Sequence, residues 1–244
     1  MARALISEKM KRCGTAKKCV PDDSFEHILT IVLVYRYTMI NSRGVILVLT
    51  YARSDLLNEL FESIKRLTDN EKVSIVVVRQ IGIDSVGETL NNWKELIEIL
   101  VETDGSAGSA AENISKNRLA GYAVSFDSLG ADWVLAVEDD VLLAPDTVLF
   151  TKCMFEKYQS HRNFRAINLG SRLSRSESGA TTYCLTRFGM YGQPSVLPRS
   201  TWQRMRRLGI IKLARSGHWD AAMEAFVKTG FCVAPNNSRY IDRG

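Results

Sequence analysis

An α/β domain built on a mixed, mostly parallel sheet is what this sequence predicts, and three observations carry the prediction. Nearly continuous apolar runs recur as VILVLT (45–50), VSIVVV (73–78) and WVLAV (133–137), and a strand covered on both faces reads as such a run. Segments with apolar residues at helical spacing alternate with them, the order that builds βαβ units. The length, 244 residues, suits one large domain with small attachments and is too short for two catalytic domains.

Taken in order, residues 1–43 read as a basic tail and extension, and residues 44–244 as the domain. A turn signal at 41–44 precedes the first strand, Val45–Thr50. Helix Asp55–Leu67 follows, with Leu56, Leu57, Leu60, Phe61, Ile64 and Leu67 on one stripe, Ser54 as N-cap and Glu62–Arg66 as an i,i+4 pair. Val73–Val78 is the second strand. Asn92–Leu100 reads as a helix, since Asn92 and Glu95 have capping-box spacing and Trp93, Leu96, Ile97 and Leu100 fall inward. Residues 103–110 (TDGSAGSA) form a loop, Glu112–Phe126 a helix and Trp133–Val137 the third strand. A helix runs from Pro145 to Tyr158, then a strand over Arg165–Leu169. Residues 171–200 are loop-rich. Trp219–Lys228 is a helix closed by Gly230, and Phe231–Ala234 a short strand.

Apolar residues make up 45% and charged residues 24%, which excludes a disordered, collagen-like or membrane-bundle chain. The net charge is +5, from 32 basic and 27 acidic residues. The first 20 residues hold six of the bases (Arg3, Lys9, Lys11, Arg12, Lys17, Lys18) and one acid (Glu8), leaving 26 of each sign elsewhere. A neutral body behind a basic tail argues against nucleic acid as a partner. The five cysteines, Cys13, Cys19, Cys153, Cys184 and Cys232, show neither a disulfide framework nor zinc spacing. They read as small buried hydrophobes, and an oxidising lumen would still let a pair among the last three bridge. The run ILTIVLVYRYTMI (28–40) contains Arg36 and is too short for the roughly 20 residues of a membrane span. It reads as an extension or N-terminal strand rather than a signal anchor, and membrane contact is not expected.

WVLAVEDDVLLAPD carries the strongest chemical signal. A buried strand ends in Glu138, Asp139 and Asp140, and apolar residues then resume. In a parallel sheet the carboxyl ends of strands line the ligand crevice. Three adjacent carboxylates repel one another and are costly to desolvate. A hard divalent cation, magnesium or manganese, removes that cost and can bridge to a substrate diphosphate. A solvated turn capping the next helix, with Asp146 doing similar work, is the competing reading.

VEDDV after a buried strand resembles the relaxed Asp-x-Asp box of GT-A-fold glycosyltransferases, whose sheet is Rossmann-like. With the following Ala-Pro-Asp and helix it resembles the β-1,2-N-acetylglucosaminyltransferase I family, together with the related protein O-mannose enzyme. TYARSD after the first strand is similar to that family's opening. Its later series is matched by FGMYGQPSVLPRSTW, HWDAAME and FCVAPNNSRY, in which Cys232, Pro235, Ser238 and Arg239 fit a Cys-x-x-Pro then Ser-Arg pattern. The resemblance covers roughly residues 44–240.

The resemblance implies an inverting glycosyltransferase that uses Mn2+ (or Mg2+) and a UDP sugar, with N-acetylglucosamine as the sugar and a glycan or glycoprotein as acceptor. Asp140 would be the direct metal ligand, and Glu138 and Asp139 would face the ribose and donor sugar. Arg53 would lie against the nucleotide base and Arg118 near the diphosphate, with Lys116 on a different face of the same helix. Asp220 would be the base that takes the acceptor's proton, although a helix-opening aspartate also suits an N-cap. Trp219 reads as core before sugar platform. Tyr191 and the glycines of GMYGQP suit either a substrate loop or a plain surface loop, and His218, a lone histidine beside the motif, reads as a bystander before a ligand or acid–base group.

Three departures from the family stand out. VSIVVV leads to RQIG where members carry an acid that helps read uracil, and the first acid here is Asp84. Ala221 stands where some members place a second acid. The family continues to a histidine-bearing closing region, whereas this sequence stops at Gly244 and so reads as C-terminally shortened. Two other readings compete: a sugar-nucleotide nucleotidyltransferase, against which TYARSD lacks a glycine-rich phosphate loop, and a non-catalytic carbohydrate-binding or scaffold protein of the same fold. The compartment is open: a Golgi lumen if the resemblance holds, cytoplasm otherwise.

Overall fold

Strand β1 (Gly44–Leu49) is buried at every position and is the axis of the sheet. A computed structural model describes residues 42–69, 73–105, 108–171, 182–187 and 194–243. After β1 come α1 (Ser54–Lys65), β2 (Val73–Gln80), α2 (Gly87–Asn92), β3 (Ile99–Thr103) and α3 (Ala110–Ala123), which widens into a π turn over Val124–Ser128. Then follow β4 (Trp133–Glu138), β5 (Val141–Leu143), α4 (Thr147–Tyr158), β6 (Phe164–Asn168), β7 (Tyr183–Thr186) and β8 (Ser195–Pro198). Helices α5 (Arg199–Arg207), α6 (Ile210–Arg215) and α7 (Trp219–Val227) lead to β9 (Phe231–Pro235) and β10 (Tyr240–Asp242).

The main sheet has the order β3-β2-β1-β4-β8-β6-β9-β7. β8 and β7 run antiparallel to their neighbours, and the remaining pairings are parallel, as a mixed and mostly parallel sheet requires. Side-chain alternation along each strand fills both faces. Ile46, Val48, Val77, Leu135 and Val137 pack with Leu57, Leu60 and Phe61 of α1 and Val148 and Phe155 of α4. Val45, Leu47, Val76, Val78 and Val134 pack with Leu119 and Tyr122 of α3, Trp202 of α5 and Trp219 and Phe226 of α7. Gly121 lets α3 lie close on the sheet: a Cβ there would come within 2.3 Å of the Leu47 side chain.

The helix expected over Asn92–Leu100 is not formed. Asn92 ends α2, and Ile99–Thr103 is strand β3, paired in parallel with Val76–Gln80. Two contacts fix the turn between them. Trp93 stacks on Phe61 at 5.6 Å, and its indole N–H donates to Asn58 Oδ1 at 2.8 Å. The capping box belongs instead to α3, where Ser109 and Glu112 satisfy each other's backbone N–H. Ser54 is likewise not the cap of α1: Arg53 holds that position, with no side-chain cap bond. Residues 199–215, given no element by the sequence patterns, form α5 and α6, with Trp202, Met205 and Ala214 turned inward. The described part of the loop-rich stretch contains β7 and β8.

Cys153, Cys184 and Cys232 are free thiols, so no bridge joins them. Burial raises the Cys232 thiol to about 12, which keeps it protonated and inert. The run 28–40, Cys13, Cys19, Tyr191 and the glycines of GMYGQP lie outside the described residues. Among the described residues no helix is long and apolar enough to cross a membrane.

Candidate active site

Chain order and sheet order together locate a crevice. From β1 the chain steps outward through β2 to β3, then returns to place β4 on the other side of β1. The winding therefore reverses between β1 and β4. The carboxyl ends of strands at such a reversal are the place where open α/β sheets take their ligands. TYARSD leaves β1 there and EDD leaves β4 there, with Leu49 in register with Glu138.

The two segments are tied by one arginine. Arg53 donates from Nη1 to Asp140 Oδ2 at 2.6 Å and from Nη2 to Asp139 Oδ1 at 2.5 Å. The other Asp139 oxygen accepts the Tyr51 backbone N–H at 2.7 Å. The Asp139 side chain is 0% exposed, against 16% for Asp140. Asp139 is thus committed to holding the β1 loop, and Asp140 keeps a partial opening to solvent. Burial raises the Asp139 carboxyl above its ordinary range, and Tyr51 and Arg53 offset part of that rise. Burial also opposes the charge on Arg53, but the two aspartates outweigh it and raise its pKa.

Glu138 has a separate partner. Arg118, buried on α3, donates to Glu138 Oε1 at 2.8 Å, and its guanidinium carbon lies 5.6 Å from the centre of the Trp219 ring. Burial raises the Glu138 carboxyl; Arg118 pulls it back, and Asp140 adds to the rise. Three carboxylates therefore meet two guanidiniums, a surplus of one negative charge. Among the described residues, Arg118 Nε and the Tyr51 hydroxyl are buried without a hydrogen-bond partner. Burial next to Glu138 raises the Tyr51 phenol well above its ordinary value.

Trp219 is core rather than platform, stacked on Tyr122 at 5.4 Å. Through Arg118 it connects the start of α7 to the acidic triple. The N-cap of α7 is His218, which makes no side-chain cap bond; Asp220 lies in the first turn with an exposed side chain. Lys116 is exposed on α3, where Arg118 is buried. Asp84 opens a short 3-10 turn after β2.

The closing segment clamps the loop from behind. β10 pairs antiparallel with β5, and Arg243 N–H donates to the Asp140 carbonyl at 2.9 Å. Arg239 reaches Asp146 at 3.1 Å and lies over Phe150, while Ser238 Oγ accepts the Ser171 N–H at 2.9 Å. The Ser-Arg segment and the Ala-Pro-Asp segment are therefore one packed unit.

Among solved structures the arrangement matches S. aureus TarS, residues 1–349, with a TM-score of 0.57 over 81% of this chain at 14% identity. The same protein in complex with UDP-GlcNAc matches with a TM-score of 0.57 at 12% identity. The fold is the GT-A type. This chain spans 59% of the length of the TarS 1–349 chain. No family model matches the sequence. No curated protein matches it. The narrower likeness to β-1,2-N-acetylglucosaminyltransferase I thus has no support beyond the GT-A fold.

The switch point of this GT-A sheet brings Arg53, Arg118, Glu138, Asp139 and Asp140 together, with Asp220 one residue beyond Trp219. Among the described residues no three His, Cys, Asp or Glu side chains form a ready metal cage. Tyr51 escaped the sequence reading, although its place two residues before Arg53, at the end of a buried strand, was the available signal.

Proposed function

We propose that residues 44–244 are a catalytic domain that transfers a sugar from a UDP sugar, N-acetylglucosamine by preference, to a glycan or other hydroxyl acceptor. The observation that carries this reading is the meeting of Glu138, Asp139 and Asp140 with Arg53 and Arg118 at the switch point between β1 and β4. Such a crevice suits a nucleotide, and two guanidiniums there suit a diphosphate. The match to a protein crystallised with UDP-GlcNAc supports the choice of donor.

A divalent cation fits the residues present. Magnesium and manganese are held by one or two carboxylates plus the substrate's phosphates, without a protein cage, and Asp140 offers one partly open carboxylate beside the surplus negative charge. When bound, the cation would neutralise the departing diphosphate. Asp140 would hold it, and Arg118 would add positive charge from the α3 side. Arg53 would anchor the β1 loop that borders the base. Asp220, exposed at the start of α7, would take the proton from the acceptor hydroxyl as the sugar is displaced with inversion.

The test is sugar transfer and UDP release over a panel of donors, with and without Mn2+. Asp140→Ala is expected to remove metal-dependent UDP affinity, read by calorimetry. Asp220→Ala is expected to leave that affinity intact and lower turnover by about 10²-fold or more. Transfer that survives both substitutions sinks the reading. A binding or scaffold protein would show neither metal-dependent UDP affinity nor donor turnover.

A further inference from the structure

The opposite end of the strands carries a second charged feature. A cavity of about 200 Å³ lies where the α4–β6 connection meets the start of α5. Arg162, Arg165, Arg204 and Arg207 line it, and among the described residues no acidic one does. Pro198, just ahead of α5, is in register with Trp133 at the start of β4. Glu138 ends that strand five residues later, about 17 Å away at roughly 3.3 Å per residue. The cavity is therefore remote from the crevice.

The four guanidiniums do not share one job. Arg165 is 2% exposed, and its nitrogens donate to the carbonyls of Arg162, Phe164 and Thr229 and to Thr229 Oγ1. It supplies fixed charge with few donors left over. Burial lowers its pKa and the nearby Arg204 lowers it further, a sign that like charges are held close. Arg204 and Arg207, three residues apart, share a face of α5 with Ser200 of its first turn. Among the described residues no acid pairs with Arg162, Arg204 or Arg207, whereas neighbouring Arg206 is taken by Asp127. His161 Nδ1 accepts the Asn163 N–H at 3.2 Å, which leaves Nε2 as the N–H donor.

Like charges gathered round a concavity repel one another, and no described residue lining this one carries a negative charge to offset them. A tetrahedral oxyanion reverses that balance, because guanidinium forks and a helix amino end present N–H groups to phosphate oxygens. We propose that this cavity is an anion-binding site for a phosphoryl group, carried by a small solute or by a lipid headgroup, and independent of the nucleotide crevice.

The test uses the full chain with inorganic phosphate as the soluble probe and vesicles containing phosphatidic acid as the headgroup probe, at constant ionic strength. Saturable phosphate binding by calorimetry, weakened about tenfold or more in Arg162→Gln/Arg207→Gln, identifies a soluble ligand. Co-sedimentation with the vesicles that the same substitutions abolish identifies a headgroup. Both altered residues are exposed, so the fold is expected to persist, which circular dichroism checks; Arg204→Gln is the second variant. Asp140→Asn is expected to leave either binding unchanged. Failure of both probes, or binding that survives these substitutions, overturns the proposal.

Discussion

Asp139 and Asp140 are neighbours of the same type with different work. Asp139 has both oxygens engaged by Tyr51 and Arg53 and no exposure, while Asp140 shares one oxygen with Arg53 and stays partly open. Asp139→Ala is expected to cost about 3 kcal/mol, because it strands the Tyr51 N–H and half of the Arg53 fork. Asp140→Ala is expected to cost less than about 1 kcal/mol. Urea denaturation of the two variants decides it, and equal losses would refute the division of roles. The acidic run itself was legible, since carboxylates after an apolar strand demand a partner. Which of them turns inward was not, because that depends on an arginine 86 residues away in sequence.

Glu138 sets a pH signature. Burial raises its pKa above the ordinary 4.5, so the folded state takes up the proton before the unfolded chain does. Its stabilising contribution is therefore full below pH 4.5 and is lost as pH rises through the raised value. Glu138→Gln is expected to flatten that fall in a plot of unfolding free energy against pH. Parallel curves for variant and parent would show that the burial cost falls elsewhere.

At the scale of elements, the buried strands and the stripe of α1 followed from apolar spacing alone. The stretch 92–100 did not, because Trp93, Leu96, Ile97 and Leu100 satisfy helical spacing while Ile99, Val101 and Thr103 satisfy strand spacing. Contact of Trp93 with α1 and pairing of Ile99–Thr103 with β2 decided between them. Such tertiary contacts are invisible to a local pattern. The seat of α3 yields a further expectation. Gly121→Ala places a Cβ within 2.3 Å of Leu47 Cδ1 and 3.0 Å of Val78 Cγ2. Lifting α3 to relieve this should cost about 1–3 kcal/mol. Leu47→Ala in the same chain should recover part of it, so that the double variant loses less than the sum of the singles.

For the whole molecule, the sequence forecast a GT-A sheet, and the likeness to TarS over 81% of this chain agrees with that sheet. Long-range closure was the illegible part. NNSRY gave no sign that its arginine would meet Asp146, or that the strand after it would pair with Val141–Leu143. Removing residues 240–244 is expected to speed amide exchange along Val141–Leu143 and to weaken UDP–Mn2+ binding more than it lowers the unfolding midpoint. Unchanged exchange would show that β5 holds its place without β10.

The Arg53 fork has one more consequence. A dication approaching Asp140 meets an oxygen already claimed by Nη1, while Nη2 keeps its grip on Asp139. Occupancy by ion and by guanidinium then oppose each other, and that antagonism must be mutual. Arg53→Ala would tighten the ion yet slacken the TYARSD segment, so titration should register a smaller dissociation constant for Mn2+ alone together with a poorer grip on UDP. Under the proposed function, one side chain thereby sets a compromise between holding a cation and keeping its doorway in shape.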